Sequence, residues 1–225
     1  MSRLAGALAG SRVLVTGATG FIGGRLVERL VLEHGAEVRA LVRNLAGAAR
    51  LARFPSGSVT VLRGDVTNPA DLERAADGCD LVFHCAYGTS GSQKHRSRVN
   101  TEGTRRVLAA AQAAGARRIV HLSTLMVYGA TADGDLDETA PRQPFGNPYS
   151  DSKLEAERIV LSSGLPVAVL QPTAVYGPYG GVWTETVLKA LKAGRQILIN
   201  GGDGLANPVY VDDLVSAMLL AAVRD

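Results

Sequence analysis

A glycine-rich turn that directly follows a short apolar strand constrains this chain more than any other feature. The stretch runs from Val13 to Gly23 and reads VLVTGATGFIG, with Gly17, Gly20 and Gly23 at three-residue spacing. Glycines in this place permit a tight turn, the close approach of a pyrophosphate and close packing of the next helix. The helix that follows offers free N–H groups to phosphates. The spacing GxxGxxG favours a phosphate-binding turn, although a turn that only ends a strand uses the same residues.

Apolar runs and helical patterns alternate along the chain. We expect strands over residues 13–15, 37–42, 59–62, 80–84, 118–122 and 167–170. We expect helical segments over residues 22–34, 45–53, from 69, 99–114, 149–161, 183–193 and 211–222, a loop over 130–148, a short strand over 196–199 and a turn over 201–204. This alternation predicts an α/β fold with a doubly wound parallel sheet and helices on both faces. Ligands of such sheets bind beyond the carboxyl ends of the strands, so the loops there form one functional rim.

Composition excludes several classes of protein. The 225 residues are 46% hydrophobic, enough for a large core, and the net charge of +3 is small. The basic pairs Arg105–Arg106 and Arg117–Arg118 have no interleaved aromatic residues, so no nucleic-acid partner is predicted. The cysteines Cys79 and Cys85 have no redox or metal-ligand spacing, which fits a reducing, cytoplasmic setting. No apolar run is long enough for a signal peptide or a membrane span.

Two polar groups could carry chemistry on the predicted rim. Tyr149 and Lys153 are four residues apart at the start of a predicted helix, which puts both side chains on one face. A nearby ammonium could lower the pKa of the tyrosine by up to about 3 units and make it an acid/base group near neutral pH. Ser123 and Thr124 follow the fifth strand and could hydrogen-bond a substrate oxygen. The alternatives are an ordinary surface Tyr–Lys pair and hydroxyls that cap a strand end.

The chain resembles the extended short-chain dehydrogenase/reductase family, whose members are NAD(P)-dependent nucleotide-sugar epimerases, dehydratases and reductases. The stretches that carry the resemblance keep the family's order and spacing over essentially the whole chain. They are TGATGFIG (16–23), GDVTN (64–68), VNTEGTRRVLAAA (99–111), LSTLMVYG (122–129), PYSDSK (148–153), PTAVYGP (172–178) and VYVDDL (209–214). The resemblance implies a Rossmann domain over residues 1–176 and a small substrate-binding lobe over residues 177–225, together with a possible homodimer.

The resemblance also implies roles for individual residues. Thr124, Tyr149 and Lys153 match the catalytic group, in which Tyr149 exchanges a proton while hydride moves to or from nicotinamide. Lys153 would also bind the nicotinamide ribose, and Asn100 would steady this region. The remaining cofactor contacts implied are Gly17, Gly20, Phe21, Ile22 and Gly23 at the pyrophosphate, Asp65 and Val66 at the adenine, Cys85, Ala86 and Tyr87 along the ribose, and Pro172 and Thr173 at the carboxamide.

The second strand bears on the choice of cofactor. An NAD enzyme usually has an acidic residue about 20 positions after the glycines, where it binds the ribose 2′-hydroxyl. Here that position is Arg43, and residues 38–44 contain no acid. Because a guanidinium can pair with a 2′-phosphate, the sequence favours NADP over NAD. The alternative is an arginine that only faces solvent.

The sequence also departs from the family pattern. Dehydratases of the family usually carry Asp-Glu after the catalytic Thr, whereas this chain has Leu125 and Met126, which argues against that branch. Many members have Arg where this chain has Gln171, so a contact with an anionic substrate is not supported there. Relatives continue well past the VDDL helix, so either the sequence is truncated or its substrate lobe is minimal. The histidines are scattered, and no metal site is predicted.

Two functions fit these residues. The first is an enzyme that oxidises or reduces a secondary alcohol or ketone, with a nucleotide sugar as the expected substrate, as an epimerase or reductase. The second is a protein that binds the cofactor as a sensor or a structural element, or an inactive fragment. The presence of Thr124, Tyr149 and Lys153 favours the enzyme, whereas the early end of the chain favours the alternative.

Overall fold

The computed structural model describes residues 6–88, 91–130, 135–195, 198–204 and 206–224. Its main sheet has six strands, all parallel, in the order β3-β2-β1-β4-β5-β6. The strands are β1 (Arg12–Thr16), β2 (Glu37–Val42), β3 (Val59–Arg63), β4 (Leu81–His84), β5 (Arg118–Leu122) and β6 (Val167–Leu170). The predicted doubly wound sheet is therefore confirmed. The order reverses between β1 and β4, and the loops after these two strands border the crevice where such folds bind ligands.

Helices cover both faces of the sheet. They are α1 (Phe21–Leu32), α2 (Pro69–Ala76), α3 (Gln93–Ala113), α4 (Pro148–Leu161), α5 (Val187–Lys192) and α6 (Val211–Val223). Helices α1 and α6 pack on one face with the 3₁₀ segment Leu45–Arg53, and α2, α3 and α4 pack on the other. The middle of β1 is apolar because residues 13–15 are fully buried between the two layers of helices.

Helix α3 begins earlier than the apolar pattern predicts. The expected start was Val99, the first buried apolar residue, but the helix begins at Gln93. Its first turns are polar and mostly exposed, so they give no periodic apolar signal. Ser92 supplies the missing explanation, since its side chain accepts a hydrogen bond from the backbone N–H of His95 at 3.2 Å and so caps the helix.

The region after β6 contains a second small sheet that the sequence pattern did not predict. Strand β7 (Ala174–Tyr176) pairs in parallel with β8 (Pro208–Tyr210). Each strand has only three residues, too few to show a period-two pattern. The expected helix over 183–193 is present as a π-helical turn, Gly181–Thr186, followed by α5. Of the strand expected over 196–199, residues 196 and 197 lie outside the described residues, and Ile199 begins a 3₁₀ turn that ends at Gly202.

The C-terminal helix α6 packs against α1 on one face of the main sheet. Leu214, Val215, Met218 and Leu219 of α6 are buried in the same core as α1. Asp212 accepts a bidentate pair of hydrogen bonds from Arg25 of α1, one of them at 3.0 Å. In contrast, no side chain in the stretch from Gly181 to Lys192 is buried. A domain boundary after residue 176 stays a prediction.

No helix within the described residues combines the length and the apolar character needed to cross a bilayer.

The expected loop between β5 and α4 is also found. Beyond the 3₁₀ turn Leu125–Tyr128, the described residues from 135 to 147 form no helix or strand.

Candidate active site

The glycine turn after β1 lies against the loop after β4. Gly17 has a φ of +72°, and a Cβ at this position would come within 2.7 Å of the backbone of Cys85. A Cβ at Gly23 would come within 2.3 Å of the Gly17 carbonyl oxygen. These two glycines are therefore required by a positive φ and by close backbone approach. Gly20 directly precedes α1 and has no side chain to cap it, so the first N–H groups of the helix are available to a ligand.

A cavity of about 290 Å³ opens at this crevice between β1, β2 and β4. Seven of the predicted cofactor-binding residues line it, and so do residues of β2 and of the loop after β3. Its lining comprises Gly17, Thr19, Gly20, Leu41, Val42, Arg43, Gly64, Val66, Cys85, Ala86, Tyr87 and Val99. The combination of a glycine cradle, free helix N–H groups and an adjoining cleft fits a dinucleotide with its pyrophosphate over the turn.

Three predicted residues, Phe21, Ile22 and Gly23, form the first turn of α1 rather than the lining of this cavity. Asp65 lies beside the cavity, and its carboxylate accepts hydrogen bonds from the backbone and hydroxyl of Thr67, both at 2.7 Å. Burial acts to raise the pKa of Asp65, but the Thr67 hydrogen bonds and the charges of Arg43 and His95 outweigh it and lower the pKa. Asp65 is therefore ionised near Arg43.

Asn100 holds in place the loop after β4, which lines the cavity. The side chain is buried on α3, where its carbonyl oxygen accepts a hydrogen bond from the N–H of Gly88 at 2.8 Å. Its amide donates to the hydroxyl of Ser152 on α4 at 3.0 Å. Asn100 thus ties the loop after β4 to both helices. A direct contact with the cofactor stays a prediction.

The candidate catalytic residues gather at the carboxyl ends of β4 and β5. Tyr149 lies in the first turn of α4 and is 41% exposed, and the hydroxyl of Thr124 is close enough to act on its pKa. Its ring packs edge-on against Tyr87 with the ring centroids 5.2 Å apart. Lys153 is buried one turn further along α4, and its ammonium lies 5.3 Å from the centroid of the same Tyr87 ring. Tyr87 is therefore the shared neighbour of both groups.

The expectation that Lys153 lowers the pKa of Tyr149 is wrong for this arrangement. Burial raises the pKa of Tyr149 and outweighs the hydrogen bond with Thr124, which acts in the opposite direction. The physical reason is the direction of the lysine, because its Nζ donates to the carbonyl oxygen of Leu122 at 2.7 Å. The phenol therefore stays protonated at neutral pH.

Lys153 itself is strongly perturbed. Burial lowers its pKa to about 8, although the neighbouring Cys85 and Glu157 act to raise it. Burial likewise raises the pKa of the Cys85 thiol to about 12, so this cysteine is neutral beside the lysine. A buried lysine whose pKa is lowered to about 8, one helical turn from a tyrosine, is typical of a functional group.

Pro172 and Thr173 lie at a different cavity, of about 490 Å³, between the end of β6 and α6. The hydroxyl of Thr173 donates to the carbonyl oxygen of Asn207. Their predicted place beside the carboxamide of a nicotinamide stays a prediction. Leu125 and Gln171 line the same cavity.

Several site features gave no sequence signal. Tyr87 was expected along the ribose, but its contacts with Tyr149 and Lys153 arise only from the fold. The buried carboxylate of Glu157 and the adjacent rings of His84 and His121, 5.3 Å apart, were also missed. Residues 84 and 121 lie on neighbouring strands and pair in register, which the strand order alone could have indicated. Among the described residues there is no group of three potential metal-ligating side chains.

Comparisons with known proteins agree with this geometry. The family model described as "NAD dependent epimerase/dehydratase family" matches residues 13–225. The chain is 34% identical over 224 residues to 4-hydroxy-2-methyl-3-oxo-4-farnesyl-3,4-dihydroquinoline-1-oxide ketoreductase of Stigmatella aurantiaca, covering 95% of this chain and 65% of that protein. It is 33% identical over 227 residues to 3-beta-hydroxysteroid dehydrogenase of Mycolicibacterium neoaurum, covering 94% of this chain and 60% of that protein.

A similar solved structure is that of DesIV, a dTDP-glucose 4,6-dehydratase from Streptomyces venezuelae with NAD and TYD bound. It has a TM-score of 0.82 at 27% identity and covers 95% of this chain and 72% of that one. The present chain spans less than two thirds of the length of the two curated relatives described above. The family match extends over nearly the whole chain and coincides with the glycine turn, the parallel sheet and the Thr–Tyr–Lys group. The chain therefore belongs to the NAD-dependent epimerase/dehydratase family.

Proposed function

We propose that this protein is an NAD(P)-dependent oxidoreductase or epimerase that acts on a secondary alcohol or ketone by hydride transfer. One observation carries the proposal. Tyr149, which is close to the Thr124 hydroxyl, and the buried Lys153 both lie against the ring of Tyr87, which also lines the cavity beside the glycine turn. A protein that only senses or holds the cofactor does not need all three side chains, so the non-catalytic alternative is less well supported.

The chemistry divides between cofactor and protein. A bound nicotinamide dinucleotide accepts or supplies hydride. Tyr149 donates its proton to the substrate oxygen in the direction of reduction, a role that suits a phenol with a raised pKa. Thr124, close to Tyr149, would donate its single hydroxyl hydrogen to the same substrate oxygen. The residues that would hold the dinucleotide are the glycine turn, the first turn of α1 and the lining of the adjoining cavity, with Lys153 at the ribose.

We favour NADP as the cofactor because Arg43 lines the cavity at the end of β2 and its guanidinium is exposed. A guanidinium can make charge-assisted hydrogen bonds with a 2′-phosphate. The carboxylate of Asp65 nearby offsets part of this charge, which leaves NAD as the alternative cofactor.

For the substrate, a nucleotide sugar is the first candidate, since the similar solved structure is that of a dTDP-glucose 4,6-dehydratase with NAD and TYD bound. A second candidate is an apolar ketone or alcohol. It is favoured by Leu125 and Met126, which directly follow Thr124, and by the names of the two curated relatives described above. Screening the protein with NADPH and NADP against a panel of nucleotide sugars, steroids and 3-oxo compounds distinguishes the two.

The decisive variant for the proposed function is Tyr149→Phe. Loss of a positioned general acid should lower the rate of hydride transfer about 10²- to 10⁴-fold while cofactor affinity stays within about twofold. Tyr176→Phe is the matched control, because Tyr176 has a similar exposure of 40% and lies outside the site. The rate is followed by nicotinamide absorbance and the affinity by fluorescence titration. Unchanged turnover in Tyr149→Phe contradicts the proposal.

Two further expectations stay predictions. A homodimer through α3 and α4 is expected from the resemblance, and sedimentation of the purified protein tests it. The cytoplasmic location is expected from the cysteine usage and is tested by fractionation of cells that express the protein.

A further inference from the structure

Helix α4 carries a fully buried carboxylate that the proposed reaction does not use. Glu157 has an exposure of 0% and lies one helical turn after Lys153. Its Oε1 accepts hydrogen bonds from the amide of Gln171 at 2.7 Å and from Nε of Arg142, and its Oε2 accepts one from the hydroxyl of Ser123. A buried ion costs stability unless it is paired and hydrogen-bonded, and here both oxygens are satisfied.

The partners of Glu157 come from three separate segments. Ser123 follows β5, Gln171 follows β6, and Arg142 belongs to the long loop before α4. Gln171 is itself held in place, because its carbonyl oxygen accepts a hydrogen bond from the hydroxyl of Tyr128 at 2.8 Å. The guanidinium of Arg142 also lies 5.5 Å from the centroid of the Tyr128 ring. One carboxylate thus joins α4 to the ends of β5 and β6 and to the loop before α4.

The same strand end is bound a second time by Lys153. The Nζ of Lys153 donates to the carbonyl oxygen of Leu122, and the next residue, Ser123, donates to Glu157. Two residues one turn apart on α4 therefore bind the last residue of β5 and the residue that follows it. Thr124 follows directly, so this double contact sets its distance from Tyr149 on the same helix.

The charges around Lys153 point to the same carboxylate. From β4 and its loop come His84, Cys85 and Tyr87, and from β5 comes His121. Burial lowers the pKa of His84 to about 3 and that of His121 well below its ordinary value, and it raises the pKa of Cys85 to about 12. His84, His121 and Cys85 are therefore neutral at pH 7. Among the described residues that act on the pKa of Lys153, Glu157 is the acidic one, and it raises that pKa from one helical turn away on α4.

We propose that Glu157 is a positioning residue for the catalytic group, which fixes the ends of β5 and β6 against α4 and serves as the buried counter-charge of Lys153. The proposal rests on the proposed function only in assigning catalysis to Thr124, Tyr149 and Lys153. The contacts and the effect on the lysine charge are properties of the protein without substrate. Glu157 lines neither the cavity at the glycine turn nor the cavity between β6 and α6, so it acts only through its neighbours.

The test measures the titration of Lys153 directly. The chain has four lysines, so ¹³C labelling of lysine Cε gives a simple NMR spectrum that single Lys→Arg variants assign. In the unmodified protein Lys153 should titrate near its expected pKa of about 8. Removing the counter-charge in Glu157→Gln should lower this pKa by about one unit, because an unpaired buried ammonium favours its neutral form. The matched control is Glu155→Gln on the same helix, whose carboxylate is 44% exposed and should leave Lys153 unchanged.

Further variants keep the test decisive. If Glu157→Gln does not fold, the double variant Glu157→Gln/Arg142→Met leaves no unpaired buried ion and should still lower the pKa of Lys153. Glu157→Asp retains the carboxylate and should titrate like the unmodified protein. A Lys153 titration that is the same in Glu157→Gln or in the double variant as in the unmodified protein overturns the proposal.

A kinetic measurement separates this proposal from the proposed function. In Glu157→Gln the alkaline limb of the pH–rate profile should move to lower pH together with the Lys153 titration. If the unmodified protein transfers no hydride, the proposed function fails while the NMR titration still decides the role of Glu157.

Discussion

Arg43 and Lys153 show how differently a single charged side chain behaves at the two ends of the candidate site. Arg43 is exposed at the end of β2, where solvent screens its charge and leaves it available to a ligand. Lys153 is buried, and its pKa is lowered to about 8 because burial removes water from the ammonium and so disfavours its charged form. The first is therefore suited to recognise a phosphate, and the second to change its charge near neutral pH.

At the residue scale, Arg43→Ala tests the choice of cofactor. Loss of charge-assisted hydrogen bonds to a 2′-phosphate should weaken NADPH binding about 10- to 100-fold, which corresponds to about 1.5–3 kcal/mol. NADH binding should change by less than about threefold. Arg63→Ala is the control, since Arg63 is exposed at the end of the neighbouring strand β3 and does not line the cavity. Equal losses for NADPH and NADH in fluorescence titrations would refute the assignment.

At the scale of the element, helix α4 places most of the candidate chemistry. It begins at Pro148 behind Asn147, whose side chain accepts a hydrogen bond from the N–H of Ser150 at 2.9 Å. Asp151 of its first turn accepts hydrogen bonds from the N–H groups of Phe145 and Gly146, which hold the preceding loop in place. Tyr149 lies within this capped turn, so the cap determines how firmly its ring is held.

The variant Asn147→Ala should therefore affect stability and activity together. Loss of the cap is expected to cost about 1 kcal/mol and to lower Tm by about 2–4 °C. The control is Asn68→Ala, because Asn68 caps α2 in the same way, with its side chain accepting from the N–H of Ala70 at 3.1 Å. Both variants should lose similar stability, but only Asn147→Ala should lower kcat. A similar fall in kcat in both would mean that the cap has no special role in the site.

At the scale of the whole molecule, the contact between α6 and α1 joins the end of the chain to its beginning. Arg25 binds Asp212 with two hydrogen bonds, and Arg29 donates to the carbonyl oxygen of Asp212 at 2.9 Å and to the hydroxyl of Ser216 at 2.7 Å. The hydrogen bond with Arg25 outweighs burial and lowers the pKa of Asp212. Because α1 begins at the glycine turn, α6 packs against the helix that borders this turn.

This contact predicts a pH-dependent stability difference. A carboxyl whose pKa is lowered by folding stabilises the protein above its unfolded pKa of about 4 and loses this effect as the pH falls through the lower folded value. Asp212→Asn should therefore reduce the free energy of unfolding at pH 7 by about 1 kcal/mol, and the difference should shrink below about pH 4. Asp213→Asn is the control, because Asp213 is exposed on the same helix. Urea unfolding at several pH values measures both; a pH-independent difference would contradict the assignment.

Much of the fold could be predicted from local patterns. The six strands of the main sheet and the ends of α4 fall within two residues of their expected positions, because buried strands and capped helices leave apolar runs and Asn-Pro or glycine boundaries in the sequence. The start of α3 and the sheet of β7 and β8 could not be predicted. The first depends on a serine cap before a polar turn, and the second on pairing between two short segments that are distant in the chain.

For this protein, the sequence by itself determined the succession of the main-sheet strands and their helices along the chain and the glycine turn after β1. These follow from backbone geometry and apolar periodicity, which are local. Only the tertiary structure decided which way Lys153 points, that the pKa of Tyr149 is raised rather than lowered, and that Glu157 is buried among Ser123, Arg142 and Gln171. Charges and hydrogen bonds depend on distances between segments far apart in the chain and on the exclusion of water, and neither is encoded in local spacing.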